Sequence, residues 1–131
     1  MSTSKLFQPI KVGDIELQHR IVMAPLTRFR ANAAHEPSDA AIEYYTQRAS
    51  TPGSLIISEA TFISPEAGGY PCVPGIWTDV QIARWKKIVD AVHAKGSYIV
   101  LQLWALGRAA SAGALAAEGS DVVLFGLGAV R

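Results

Sequence analysis

The sequence predicts an α/β fold, the opening of a (β/α)8 barrel of the TIM type, and three observations carry that prediction. Apolar runs recur at Ile21–Val22–Met23, Leu55–Ile56–Ile57 and Ile99–Val100–Leu101. Each closes in polar residues: Thr27 and Arg28 after the first, Ser58 to Thr61 after the second, Gln102 after the third. Between the runs lie two stretches whose apolar residues return at helical spacing. The runs are apolar on both faces, as parallel strands covered by helices must be. Alternation of this kind builds a parallel sheet, and in barrels the chemistry sits at the C-terminal ends of the strands.

The elements follow in order. Ile10–Lys11–Val12 and Ile15–Glu16–Leu17 flank Gly13–Asp14, a two-residue hairpin signal with glycine where φ must be positive. The first barrel strand ends at Met23–Ala24–Pro25, because Pro25 has no N–H and a fixed φ and so stops ladder pairing. Ser38 is the expected N-cap of a helix from Asp39 to Ala49, where Ile42, Tyr45 and Ala49 share a face and Asp39 suits the macrodipole. Thr78–Asp79–Val80–Gln81 reads as a capping box, and Ile82, Trp85, Ile88, Val89 and Val92 continue the inward face of a second helix until Gly96. Beyond Arg108 the text turns to small residues, so residues 1–110 form the expected barrel part and residues 111–131 a divergent tail.

Length limits what this pattern can build. A (β/α)8 barrel takes about 250 residues, whereas the chain has 131 and supplies three strands. The expectation is therefore an incomplete barrel: an N-terminal hairpin, the first three strands and two helices. Half the residues are hydrophobic, and 12 Lys and Arg against 11 Asp and Glu leave a net charge of +1. Nucleic acid and membrane surfaces are thus excluded as expected partners, since both need clustered cations. The single cysteine, Cys72, rules out an internal disulfide, and the start lacks an apolar leader, so the expected location is cytoplasmic.

Several residues have plain explanations at this level. His19, His35 and His93 are scattered, so no metal site is expected and surface placement is the better reading. Arg28 and Arg30 read as an exposed pair, and Cys72 has no basic neighbour in sequence to activate it. Val122 to Gly128 imitates the strand and first two glycines of a dinucleotide fingerprint, but Arg131 stands at the third glycine position, with no helix to hold a pyrophosphate.

Longer blocks carry more specific information. Leu6–Phe7–Gln8–Pro9, Val22 to Arg28, Glu43 to Ala49, Ser58 to Ser64 followed by Gly68–Gly69–Tyr70, Pro74–Gly75–Ile76–Trp77, and Gln102 to Arg108 together resemble the N-terminal part of the old yellow enzymes. These are FMN-dependent ene-reductases folded as TIM barrels. The wording is most like a fungal branch that includes chanoclavine-aldehyde reductases of ergot-alkaloid pathways.

The resemblance implies that Pro25, Leu26 and Thr27 lie against the flavin ring, with the Thr27 hydroxyl on a flavin carbonyl. It implies that Ala60 lets the backbone approach the ring, that Gln102 pairs with the pyrimidine edge, and that Trp104 walls the substrate pocket. On the residues alone, Thr27 is a strand-ending turn, Ala60 core filler and Trp104 packing. A glutamine in an apolar strand needs some partner in any case. By resemblance the cofactor is FMN, the reductant NADPH and the substrate an activated alkene or aldehyde. The family's phosphate-binding loop, its His/Asn or His/His substrate clamp and its proton-donating tyrosine have no counterpart in the sequence. The expected function is that of a truncated, inactive homologue. Two alternatives stand beside it: a non-catalytic interaction fragment that associates, with itself or another chain, through an open sheet edge, and an incomplete reading frame of an active ene-reductase.

Overall fold

The computed structural model describes residues 4–119. The glycine-rich segment from Val122 to Gly128 lies outside them. The hairpin forms as the sequence requires: β1 (Ile10–Val12) and β2 (Ile15–Leu17) pair antiparallel, Ile10 opposite Leu17, across Gly13 at φ +59°. It is fastened beneath the main sheet through backbone bonds. Gln18 N–H donates to the Gly53 carbonyl at 3.1 Å, and Gly53 N–H donates to the Gly96 carbonyl at 2.7 Å. Gly53 has φ +75°, and a Cβ there would stand 2.3 Å from Gln18 Cγ, so position and conformation both demand glycine.

The main sheet is parallel in the order β3 (Val22–Met23), β4 (Leu55–Phe62), β5 (Tyr98–Trp104). α1 (Asp39–Arg48) joins β3 to β4, and α2 (Asp79–His93) joins β4 to β5. Both helices turn their apolar faces to one core in which Tyr45, Ala49, Ile56, Trp85, Ile88 and Val92 are buried, with Met23, Ile42, Ile99 and Leu101 packed against it. A second cluster of Phe62, Val73 and Leu106 fills the C-terminal end of the sheet, where Trp104 stacks on Phe62 with ring centroids 5.4 Å apart. After β5 the chain forms α3 (Ala112–Ala117), capped by the Ser111 hydroxyl, which accepts from Ala114 N–H. The segment set apart from residue 111 therefore starts with a helix where a third crossover belongs.

Several details depart from expectation. β3 has only two paired residues, and Ile21 before it is exposed. β4, by contrast, runs on through Ser58 to Phe62, so its polar residues lie within the strand. Ser38 has the extended backbone of an N-cap, but its side chain makes no capping bond. Ile82 is 48% exposed. Gln81 takes the inward place: its Oε1 accepts from the N–H groups of Trp77 and Thr78, and its Nε2 donates to the Ala34 carbonyl. A long amide that satisfies three backbone groups is worth more there than an aliphatic chain.

His35 is buried rather than on the surface. It stands at φ +57° between Phe62 and Trp77, its Nδ1–H donates to the Val73 carbonyl, and its Nε2 faces the Glu118 carboxylate at 3.3 Å without meeting hydrogen-bond geometry. It ties the loop after β3, the loop before α2 and the end of α3 together.

The capping box is formed at both ends: the Thr78 hydroxyl accepts from Gln81 N–H and the Gln81 side chain accepts from Thr78 N–H. Thr78→Ala removes one half of it. It should lower the stability of the chain by about 1 kcal/mol, read as a shift in the urea midpoint with unchanged slope.

Candidate functional site at the C-terminal end of the sheet

Parallel register puts the residues singled out above at one end of the sheet. Val22 pairs with Leu55 and Met23 with Ile56, so Pro25, Leu26 and Thr27 emerge beside the far half of β4. Ala60 and Gln102 are direct register partners, and Trp104 pairs with Phe62 two positions on. Of these, Ala60 is buried, Pro25, Thr27, Gln102 and Trp104 are half-buried, and Leu26 is exposed.

The register is not uniform. Ile57 faces Val100, yet Ala60 faces Gln102, so β4 spends one more residue than β5 over this interval. That is a β-bulge at Ser58–Glu59, and a bulge leaves backbone groups without ladder partners. Side chains supply them. Gln102 N–H donates to the Ser58 hydroxyl at 3.0 Å, and Glu59 N–H donates to the Tyr45 hydroxyl of α1 at 2.8 Å. The Ser58 and Thr61 hydroxyls donate in turn to the Glu59 carbonyl.

Glu59 itself is 6% exposed. Its Oε2 accepts from Arg28 N–H at 3.1 Å, which pins the turn carrying Thr27 to the strand carrying Ala60. Burial raises its pKa above 4.5, an effect only partly offset by the Arg28 N–H and charge and by the Tyr45 hydroxyl. Burial likewise pushes the Tyr45 hydroxyl up, so it stays a neutral hydroxyl in its bond to Glu59.

Arg28 is half-buried and not the surface residue that the sequence suggests. Its guanidinium lies 3.9 Å from the Tyr44 ring centre, and Arg48 lies 3.6 Å from the same ring. A cavity of about 200 Å³ opens here between Arg28, Arg30, Tyr44 and Glu59, on the α1 side of the sheet.

What remains chemically unengaged is informative. The Ser58 and Thr61 hydroxyls are consumed by the bulge, whereas the Thr27 hydroxyl and the Gln102 side-chain amide bond to none of the described residues. Together they offer a hydroxyl and a paired donor and acceptor at one sheet end, beside the small Ala60. That donor set fits the carbonyls and ring N–H of a flavin pyrimidine edge. Trp104 is held by packing, stacked on Phe62 and edge-on to Tyr70. Among the described residues no cluster of His, Cys, Asp or Glu could hold a metal ion, and no helix is long and apolar enough to cross a membrane.

Ser58, Glu59, Tyr45 and Arg28 were not marked as site residues by the sequence. A charged residue inside an apolar strand needs a buried partner, as Gln102 does, and that signal could have found Glu59.

Comparison with known proteins gives these positions a context. Residues 5–129 match the NADH:flavin oxidoreductase / NADH oxidase family. The NADP-dependent oxidoreductase lnbE of Aspergillus flavus is 63% identical over 120 residues, covering 92% of this chain and 32% of that protein. Chanoclavine-I aldehyde reductase fgaOx3 of Penicillium roqueforti is 59% identical over 116 residues, 88% of this chain and 31% of that one. The crystal structure of an old yellow enzyme from a Pichia species superposes with a TM-score of 0.88 at 50% identity, covering 90% of this chain and 31% of its own. The chain spans about a third of the length of the relatives it matches.

The state of Glu59 is open to test. Because its pKa is raised in the fold, the protonated acid favours folding. That contribution is complete below the ordinary carboxylate value and is lost as pH rises through the raised one. Glu59→Gln keeps an acceptor for Arg28 N–H without the charge. The variant should gain stability relative to the parent as pH climbs from the ordinary carboxylate value upward, measured by urea unfolding at each pH. A constant difference across that range would mean that Glu59 is as readily ionised in the fold as outside it. Tyr45→Phe, which strands the Glu59 N–H, should cost about 1–3 kcal/mol in the same assay.

Proposed function

Because the chain belongs to the NADH:flavin oxidoreductase / NADH oxidase family, we propose that it forms one wall of the flavin site of an FMN-dependent, NADPH-using ene-reductase, and that this wall alone does not turn over substrate. The observation that carries the reading is the pair of unengaged polar groups, the Thr27 hydroxyl and the Gln102 amide, at the C-terminal end of one parallel sheet. Bound FMN would supply the hydride chemistry, from NADPH to an activated alkene.

The chain's own residues have separable tasks in this reading. Thr27 donates a hydrogen bond where negative charge gathers on the reduced ring. Gln102 orients the ring by donating and accepting along one edge. Ala60, with a single methyl, leaves room for the ring against the strand, and Trp104 closes the substrate side. Glu59 positions the Thr27 turn through Arg28 N–H. The groups that grip the phosphate, clamp the substrate oxygen and deliver the proton that completes the reduction belong, in this family, to the part of the barrel that follows the third strand. The substrate class is an activated alkene or aldehyde of fungal alkaloid metabolism, supported by the likeness to the chanoclavine-I aldehyde reductase.

FMN titrated into the 131-residue chain should give no complex that survives gel filtration, because each retained contact contributes only about 1 kcal/mol net. A stoichiometric yellow protein would contradict this. Fusing the C-terminal remainder of the Aspergillus flavus relative after Arg108 should restore flavin binding and NADPH oxidation. In that fusion Thr27→Ala should slow flavin reduction by about tenfold, the loss of roughly one hydrogen bond. An unchanged reductive half-reaction in stopped flow would remove Thr27 from the site.

A further inference from the structure

The cavity between Arg28, Arg30, Tyr44 and Glu59 holds more positive charge than the residues around it answer. Arg28 is fixed there. Its guanidinium lies 3.9 Å and that of Arg48 3.6 Å from the centre of the Tyr44 ring, so the two cations must take opposite faces of it. Arg48 also donates to the Tyr44 carbonyl. The guanidiniums of Arg28 and Arg30, by contrast, donate to no acceptor and form no ion pair among the described residues. The acids of α1 and of the loop before it are engaged elsewhere: Asp39 pairs with Arg84, Glu36 accepts from Asn32 and Glu43 from Gln47. Glu59, the one acid in the cavity lining, gives its Oε2 to Arg28 N–H and is pushed toward its neutral form by burial.

A guanidinium presents five N–H donors in a planar fork and is always charged in proteins. Two such forks on one cavity, both lacking acceptors, define their complement: a compact group that combines negative charge with several oxygen acceptors. We propose that this cavity of about 200 Å³ binds a small oxyanion, a phosphate or carboxylate group, between Arg28 and Arg30. The rest of the lining fits that occupant. Ala40 and Ala41 leave room with their small side chains and bring the first turn of α1, the positive end of its dipole, to the wall. The Tyr44 ring fixes Arg28 before the anion arrives, so less side-chain freedom is lost on binding. The site uses neither the Thr27 hydroxyl nor the Gln102 amide, and it stands or falls separately from the flavin wall.

The test is a nuclear magnetic resonance titration of the isotopically labelled 131-residue chain with inorganic phosphate and, separately, with acetate, chloride holding the ionic strength constant. The expected result is a saturable one-to-one shift of the Arg28 and Arg30 Nε–H resonances. Saturation by phosphate alone supports the site and names a phosphate group; saturation by acetate alone supports it and names a carboxylate. Arg28→Gln and Arg30→Gln should each weaken the binding by about tenfold or more, the worth of a hydrogen bond to a charged group. Arg30→Gln decides the matter if Arg28→Gln does not fold, because Arg30 is exposed and its side chain bonds to none of the described residues. Shifts that grow linearly with both salts overturn the proposal, as does binding that Arg30→Gln or a folded Arg28→Gln leaves undiminished.

Discussion

One extra residue in β4 is the constraint on which the functional end of this molecule depends. The bulge at Ser58–Glu59 brings Ala60 opposite Gln102 and turns Glu59 toward the Thr27 turn. A regular ladder would place the small residue and the amide out of step by one and, with a side-chain period of two, on opposite faces. The bulge persists because the stranded amides are answered by side chains, Ser58 of the bulge itself for Gln102 and Tyr45 of α1 for Glu59. Helix α1 thereby does more than cover the sheet. Its Tyr45 packs in the main core and also holds the irregularity open.

The parts of the fold that were legible in the sequence are those governed by local chemistry. Gly13–Asp14 specifies a tight turn whatever surrounds it, and Thr78 with Gln81 specifies a helix start from within four residues. The helical faces through Tyr45, Ala49, Trp85, Ile88 and Val92 followed from spacing alone. What could not be read depends on residues distant in sequence. The bulge exists only by reference to β5. His35 is buried because Phe62, Val73 and Trp77 converge on it, and Ile82 yields its inward place to Gln81 because Ala34, from another loop, needs a donor.

The candidate site divides along the same line. Thr27, Ala60 and Gln102 were identifiable from family wording, and parallel register then explains why residues up to 75 positions apart meet at one end. Arg28 and Glu59, which fix the spacing between the turn and the strand, carry charges that from sequence suggested solvent. In the structure the Arg28 guanidinium is drawn in by the Tyr44 ring and the Glu59 carboxyl by the Arg28 amide. Such ionisable side chains hold the geometry of a site whose contacting groups are themselves neutral.

The relay from Gln18 to Gly53 to Gly96 beneath the sheet has a consequence for synthesis on the ribosome. The hairpin emerges well before β4 and β5, and it can form its own turn at once. Its anchoring carbonyl belongs to Gly53, and the amide of that residue is in turn oriented by Gly96, some eighty residues behind the hairpin. Contacts of such separation are non-local and form after the local ones. An element made early is thus fastened only once chain far behind it has been made, and during translation it waits over an unfinished floor.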